Sequence, residues 1–521
     1  MVSNNIIYGK DSTEKIVNLS VMDDTLYVYQ EIDGNIIEST RPYTHWVLSK
    51  KKHNDTFSTL EGNQPFKYFK EYKYADFEAK AKPLVYKLGL FTIQQKQENY
   101  MVRHGVTYFK NTKVDEVSLL SFDIETTGLD PKAPNAKLLI ITNTFRKLGK
   151  YESKTFVVDD FSSEKEMILA WAEWVKEKDP SVIIGHNIIM FDIPYILGRC
   201  SMNKIQLKLG RRNQPLLIED RERQFRKDGS QSYTYKRIEC FGREIIDTFF
   251  LAIKTDIGRV YPTYGIKSIM KYEGLEEDDR QHYEAAKIAQ NWHIPEEKKK
   301  IIAYAEADSR DPIKLYDLKI ATMFYICPVV PKPFQLIAES ASGSQLNALM
   351  VRSYLQQDHS IAEADDVPKF QGAISFGVPG VYKNMLKLDF SALYPSIMRE
   401  YELYDKKKDP KKHFLQVVEF FHEYRQEYKK KYQETKDRYY DDLQNVAKTI
   451  ANSCYGFLAA KGLQYNSPQI ASFITAKARE LLTFSIEYFS SRSLNSWIEE
   501  FREKTGFKEK EEKDWNNDVD F

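Results

Sequence analysis

The sequence predicts a multidomain protein of mixed α/β and α+β class. Three observations predict it. The chain has 521 residues, several times one typical domain, so two to four domains are expected. Short stretches of alternating apolar and polar residues fill the first hundred positions. From about Val114 strand patterns alternate with helical ones, and from about His413 helical patterns dominate. A hydrophobic content of 42% supports packed cores, and Lys+Arg 76 against Asp+Glu 75 nearly cancel to a net +1. Global disorder and a uniformly polycationic nucleic-acid binder are both excluded.

The elements follow in order. Thr25–Gln30 and His45–Leu48 alternate and are separated by turn signals that include Asp33-Gly34, which predicts a strand-rich N-terminal domain over 1–110. Ser118–Asp123, Leu138–Thr142 and Ser181–Gly185 read as strands and Ser163–Glu177 as an amphipathic helix, within an α/β domain spanning 111–330. Between Glu222 and Glu239 a polar alternating segment turns at Asp228-Gly229 as a hairpin. Helix from Glu296 to about Tyr325 leads to a Pro-punctuated boundary at Cys327–Pro333. Short strands are expected beyond Phe370, then a helical pair from about His413 to Gly456, a last helix from Ser467 to about Ser490, and a polar tail.

Four cysteines, Cys200, Cys240, Cys327 and Cys454, lie far apart without CxxC spacing. This excludes a zinc ribbon and a disulfide framework and predicts a reducing compartment. The N-terminus lacks an apolar signal region and no 18-residue apolar run occurs, so a soluble cytoplasmic protein without membrane association is expected. Aromatic residues make up 13%; core packing and base stacking both use them, and composition does not choose.

The chemistry is carried by acids at particular spacings. Asp123 and Glu125 are two apart, so on a strand both carboxylates face one side, where divalent metal relieves their repulsion. Asp192 follows a buried-strand pattern, and Tyr304 and Asp308 share one helical face. Glu306 and Asp311 are expected to be solvated. Downstream, Leu386–Asp389 reads as a strand ending in an acid, followed by a tight turn and Tyr394-Pro395. Lys448, Asn452 and Tyr455 form one helical stripe at i, i+4 and i+7, too polar for a core face and suited to a ligand. Arg425 and Lys429 are four apart on a helix, in a segment, Tyr401 to Arg438, whose local charge is +3.

Asp123, Glu125, Asp192, Tyr304 and Asp308, in this order, resemble a DEDD-type 3′→5′ exonuclease with a tyrosine in its third motif. Leu386–Met398 and Lys448–Gly456 look like motifs A and B of the family B DNA polymerases, and Phe370–Gly380 resembles that family's linker between modules. The resemblance covers roughly residues 20 to 490. It implies an RNase H-like exonuclease domain, then a linker and first part of the palm (331–405), helical fingers (406–460) and an incomplete second part of the palm (461–521). It further implies Mg²⁺ or Mn²⁺, two ions per active site. Asp123, Glu125, Asp192 and Asp308 would hold one pair with Tyr304 orienting the attacking water, and Asp389 would bind metal at the polymerase site. Tyr394 would sit beneath the sugar and select deoxynucleotides, and Arg425, Lys429 and Lys448 would clamp the dNTP phosphates beside Asn452 and Tyr455.

The family's third motif, a D-T-D-S turn carrying the second palm aspartate, does not appear. Asp518-Val519-Asp520 lacks a preceding apolar strand, and the thumb is missing too. Two expectations follow: a naturally split polymerase whose second polypeptide supplies motif C and thumb, or a truncated one. The implied partners are primer-template DNA, dNTPs and that second chain, with a sliding clamp left open. Competing expectations are a stand-alone exonuclease with a vestigial DNA-binding palm and a non-enzymatic DNA-binding accessory protein.

Overall fold

A computed structural model describes residues 4–54, 56–226, 232–278, 280–375, 377 and 379–506. The expected turn at Asp228-Gly229 and the acids Asp518 and Asp520 lie outside them. Near the N-terminus, β1 (Ile16–Met22), β2 (Thr25–Ile32) and β3 (Asn35–Pro42) form an antiparallel sheet in that order. Asp33 and Gly34 both take positive φ, 50° and 74°, the left-handed pair that matches strand twist in a two-residue hairpin. A second small sheet places β4 (His45–Ser49) and β5 (Ser58–Thr59) either side of β6 (Tyr68–Tyr72). Trp46 of β4 is fully buried, and its indole N–H donates to the Asn99 carbonyl at 2.7 Å.

The α/β domain is a five-stranded mixed sheet. Its strands are β7 (Leu119–Thr126), β8 (Leu138–Lys147), β9 (Lys150–Val157), β10 (Val182–Gly185) and, after the hairpin of β11 (Leu217–Arg226) and β12 (Ser232–Glu239), β13 (Glu244–Asp247). The order is β13-β10-β7-β8-β9, with β7 central, parallel to β10 and antiparallel to β8. Helix α1 (Glu164–Lys178), capped by the Ser163 hydroxyl accepting from the Glu166 N–H at 3.2 Å, packs Met167, Ile168, Trp171 and Val175 into one core with Leu120 and Phe122. A second helix, α2 (Asp192–Met202), follows β10. The long α3 (Pro295–Lys319) lies against the sheet: the Thr142 hydroxyl donates to the Ala305 carbonyl at 3.0 Å, and the Thr144 and Ser309 hydroxyls meet at 3.0 Å. Pro312 inside α3 lacks the N–H that would bond the Asp308 carbonyl.

Polar bolts join the two parts. Glu31 of β2, 4% exposed, accepts from the Ser118 N–H with both oxygens at 3.1 Å and from the Ser181 hydroxyl at 2.6 Å. Glu244 of β13 accepts from the Asn18 side chain at 2.7 Å and the Gln335 N–H at 2.9 Å.

The second half is helical: α4 (Ser342–Leu355), α5 (Leu393–Glu400), α6 (His413–Thr435), α7 (Arg438–Leu458) and α8 (Pro468–Ser490). The expected helical pair is α6 and α7, turning at Lys436 with φ 57°, and the Asp437 carboxylate caps α7 by accepting from the Tyr439 N–H at 2.9 Å. One face of α7, Val446, Ile450, Cys454 and Phe457, joins Leu346, Leu349 and Met350 of α4 in the main core. A further helix, Leu494–Thr505, went unpredicted, although Leu494, Trp497, Ile498 and Phe501 have helical spacing after the cap Ser493.

The short strands expected beyond Phe370 are not present among the described residues. Leu386–Asp389 is irregular, with Leu386 77% and Leu388 54% exposed. A strand needs a partner for its ladder, and no described strand pairs with this one. No helix of the described residues is long and apolar enough to cross a membrane.

The Glu31 bolt is testable. Replacing Glu31 with Ala leaves the buried Ser118 N–H and Ser181 hydroxyl unpaired, at a cost of about 2 kcal/mol; urea denaturation should show a lower midpoint, whereas Ser39→Ala on exposed β3 should shift it far less.

Candidate functional site

Strand β7 supplies Asp123 and Glu125, two positions apart and on one side of the sheet, as expected. Asp308 reaches the same place from α3, and one oxygen from each of Asp123, Glu125 and Asp308 lie within 4.8 Å of one another. Tyr304, one turn before Asp308, is buried beside them. Asp192 opens α2 and is 3% exposed; its Oδ1 accepts from the Ile124 N–H at 3.3 Å, between the two β7 acids. The sheet and two helices thus bring together all five residues, with Asp192 beside the triple rather than within it.

Electrostatics set the character of this site. Burial pushes Asp123 well above the usual carboxylate range, reinforced by Asp192, Glu125 and Asp308. Burial, then Asp308, raises Glu125 to about 8; burial, then Asp247, raises Asp192 to about 8. Burial and the adjacent acids also push the Tyr304 phenol upward, so it is a hydrogen-bond donor at neutral pH. A cluster of hard oxygens at this separation suits Mg²⁺ or Mn²⁺, whose charge removes the repulsion that raises these acids.

Three residues here carried no signal that sequence analysis used. Asp247 ends β13 and accepts from the N–H groups of Asn187 at 2.8 Å, Phe249 at 2.9 Å and Ile189 at 3.0 Å, which shapes the loop delivering Asp192. A strand pattern ending in an acid, the same signature used for Asp389, marks it. Lys267 bonds to the Tyr304 hydroxyl and stands 3.4 Å from Asp308 Oδ2. Arg280 pairs with both Asp308 and Asp311. Asp311 is therefore not solvated as expected but 1% exposed, because Arg280 compensates its charge. Glu306 is half-buried and accepts from the Thr155 hydroxyl at 2.8 Å.

The second site is an open cleft. Asp389, Phe390, Ser391, Ala392 and Leu393 line it on one side and Arg425 of α6 with Lys448 and Asn452 of α7 on the other. Asp389 is exposed on an irregular segment, where the sequence predicted a strand end. The chain reverses immediately after it through Ala392, whose φ of 53° and ψ of 50° are left-handed, a conformation that costs an alanine about 1 kcal/mol. That turn starts α5 and sets Tyr394 against Tyr455 of α7, ring centroids 4.6 Å apart. Lys429, one turn beyond Arg425, is exposed and outside this lining. From α8, Arg479 donates to the carbonyls of Gln371 at 2.9 Å and Gly372 at 2.7 Å, pinning the Gly-rich linker. Arg479 also faces the Tyr394 and Tyr455 hydroxyls electrostatically.

Comparison with known proteins identifies the family of both halves. Residues 102–268 match the family model described as DNA polymerase family B, exonuclease domain, and residues 410–519 match DNA polymerase family B. A DNA polymerase of Pyrococcus glycovorans is 24% identical over 425 residues, 74% of this chain and 52% of that protein. A DNA polymerase delta catalytic subunit of Dictyostelium discoideum is 26% identical over 422 residues, 70% of this chain and 38% of that protein. The chain thus spans about half, or less, of the length of the curated relatives it matches. A solved family B DNA polymerase from the hyperthermophilic archaeon Pyrobaculum calidifontis shares the fold, with TM-score 0.73 and 17% identity over 91% of this chain and 71% of that one. The chain belongs to the family B DNA polymerases.

Proposed function

We propose that this chain excises nucleotides from the 3′ end of DNA at the Asp123 cluster and contributes the nucleotide-facing part of a template-directed polymerase site at Asp389. The observation that carries the first part is the convergence of Asp123, Glu125 and Asp308 from two elements on one spot, with Asp192 and Tyr304 beside it. Asp123, Glu125, Asp308 and Asp192 would hold two divalent ions, which supply the positive charge that activates the attacking water and balances the leaving oxygen. Tyr304, protonated and adjacent to Lys267, would orient that water through its hydroxyl. In the cleft, Arg425 and Lys448 would take the triphosphate, Lys429 would join them when α6 closes on the nucleotide, and Tyr394, braced by Tyr455, would lie beneath the sugar.

Among the described residues a single carboxylate, Asp389, lines the cleft. Nucleotide transfer by two ions calls for a second. We therefore propose that incorporation needs a second carboxylate from a further palm segment, while excision does not.

Three outcomes check these roles. Asp123→Ala with Glu125→Ala should lower digestion of a labelled single-stranded primer by at least about 10³-fold; undiminished digestion would remove the assignment. Incorporation of dNTPs should appear only on mixing with a polypeptide that carries the second palm carboxylate, and Lys448→Ala should weaken dNTP use by about tenfold or more. Primer extension by the 521-residue chain alone would overturn this division.

A further outcome concerns pH. Glu125 and Asp192 have folded-state pKa values raised to about 8, so without metal the folded chain binds more protons than the unfolded chain between about pH 4 and 8. Ion-free stability should therefore fall as pH rises through that window. Added Mn²⁺ should raise Tm, on the order of 5 °C at saturation and by more at pH 8 than at pH 6, where protons compete. Asp123→Ala with Glu125→Ala should abolish the Mn²⁺ effect; an equal Mn²⁺ shift in that variant would show binding elsewhere.

A further inference from the structure

The acids of the excision site are not treated alike by their surroundings. Asp308 is held from both sides. One guanidinium nitrogen of Arg280 meets Asp308 Oδ1, and Lys267 stands 3.4 Å from Oδ2. The other terminal nitrogen of Arg280 meets Asp311 Oδ2. Asp308 and Asp311 lie one turn apart on α3, so the guanidinium spans two carboxylates of the same helix face. Its side chain is 2% exposed, as is that of Asp311, and Lys314 completes the anchor 3.5 Å from Asp311 Oδ1.

This arrangement is more than charge balance. A guanidinium is planar, offers its donors in a fixed fork and does not lose its proton. Tied to Asp311 on one side, it fixes the rotamer of Asp308 on the other. It also occupies Oδ1, which leaves Oδ2 as the oxygen turned toward Lys267 and available to a cation. A carboxylate with one oxygen already taken binds an ion through a single oxygen. A permanent positive charge one atom behind that ligand also weakens the site's pull on any divalent ion.

We propose that Arg280, anchored by Asp311, is a positioning residue that restricts Asp308 to single-oxygen ligation and holds the divalent-ion affinity of the excision site down, in exchange for a fixed ligand geometry. This rests on the assignment of the Asp123 cluster as a metal-dependent exonuclease. Loose ion binding with fixed geometry allows ions to exchange with each excised nucleotide, while the reacting groups stay aligned.

The test separates affinity from turnover. Calorimetric titration of the full chain with Mn²⁺ should show Arg280→Met binding about tenfold more tightly than the parent, while its excision rate at saturating Mn²⁺ falls about tenfold or more. A residue with a purely structural role would not tighten binding while slowing turnover. Arg280→Lys keeps the charge but cannot span both carboxylates. It should bind Mn²⁺ within about twofold of the parent and still excise slowly, which keeps the test decisive if Arg280→Met fails to fold. Parent-like affinity in Arg280→Met, or parent-like excision in Arg280→Lys, would overturn the proposal. Asp123→Ala serves as the reference. Full Mn²⁺ affinity in that variant would remove the exonuclease assignment itself, whereas lost affinity there with no change in Arg280→Met would remove only the role of Arg280.

Discussion

The structure of the first half turns on one costly act: burying several carboxylates side by side. Like charges at this spacing repel, and burial strips the water that would screen them. The fold meets that cost with rigid delivery. β7 sits at the centre of the five-stranded sheet; its ladder to β10 ends at Ser121, and Asp123 and Glu125 beyond it are held by pairing with Thr142 and Ile140 of β8. Asp192 is held by the Ile124 amide, and the loop that delivers it is held by Asp247. Asp308 is held by Arg280 on a helix bonded to the sheet through Thr142 and Thr144.

The second cleft uses the opposite strategy. Its residues are mostly exposed, its acid stands on an irregular segment, and its cations come from two helices that pack along each other through Phe414–Phe457 and Tyr428–Tyr440. Helices α6 and α7 are fixed at the base by the α4 core but carry their phosphate-facing side chains outside it. That combination suits a site that changes shape around its substrate. The Asp123 cluster is held rigidly from several elements, and the Asp389 cleft stands open.

Sequence patterning made much of this visible. The period-2 runs that end in acids located β7, and the helical stripes located α6 and α7, with Lys448 and Asn452 exposed and Tyr455 packed against Tyr394. What stayed hidden is what depends on contacts between distant segments. Asp311 looks like any surface acid until Arg280, 31 positions earlier, is folded onto it. Lys267 and Asp247 act through Tyr304 and backbone amides that no local spacing reveals. Leu386–Asp389 fails in the other direction: its pattern is a strand's, but strand formation is a property of pairs, and pattern alone cannot supply a partner.

That unpaired segment has a consequence for the protein in solution. Met385, Leu386, Leu388 and Phe390 border a broad apolar groove with Leu482, Ile486 and Phe489 of α8, and Phe489 is itself 63% exposed. Extended backbone with free amides beside exposed leucines is what templates strand addition between molecules. The irregular segment that carries Asp389 thus also presents an apolar surface open to association.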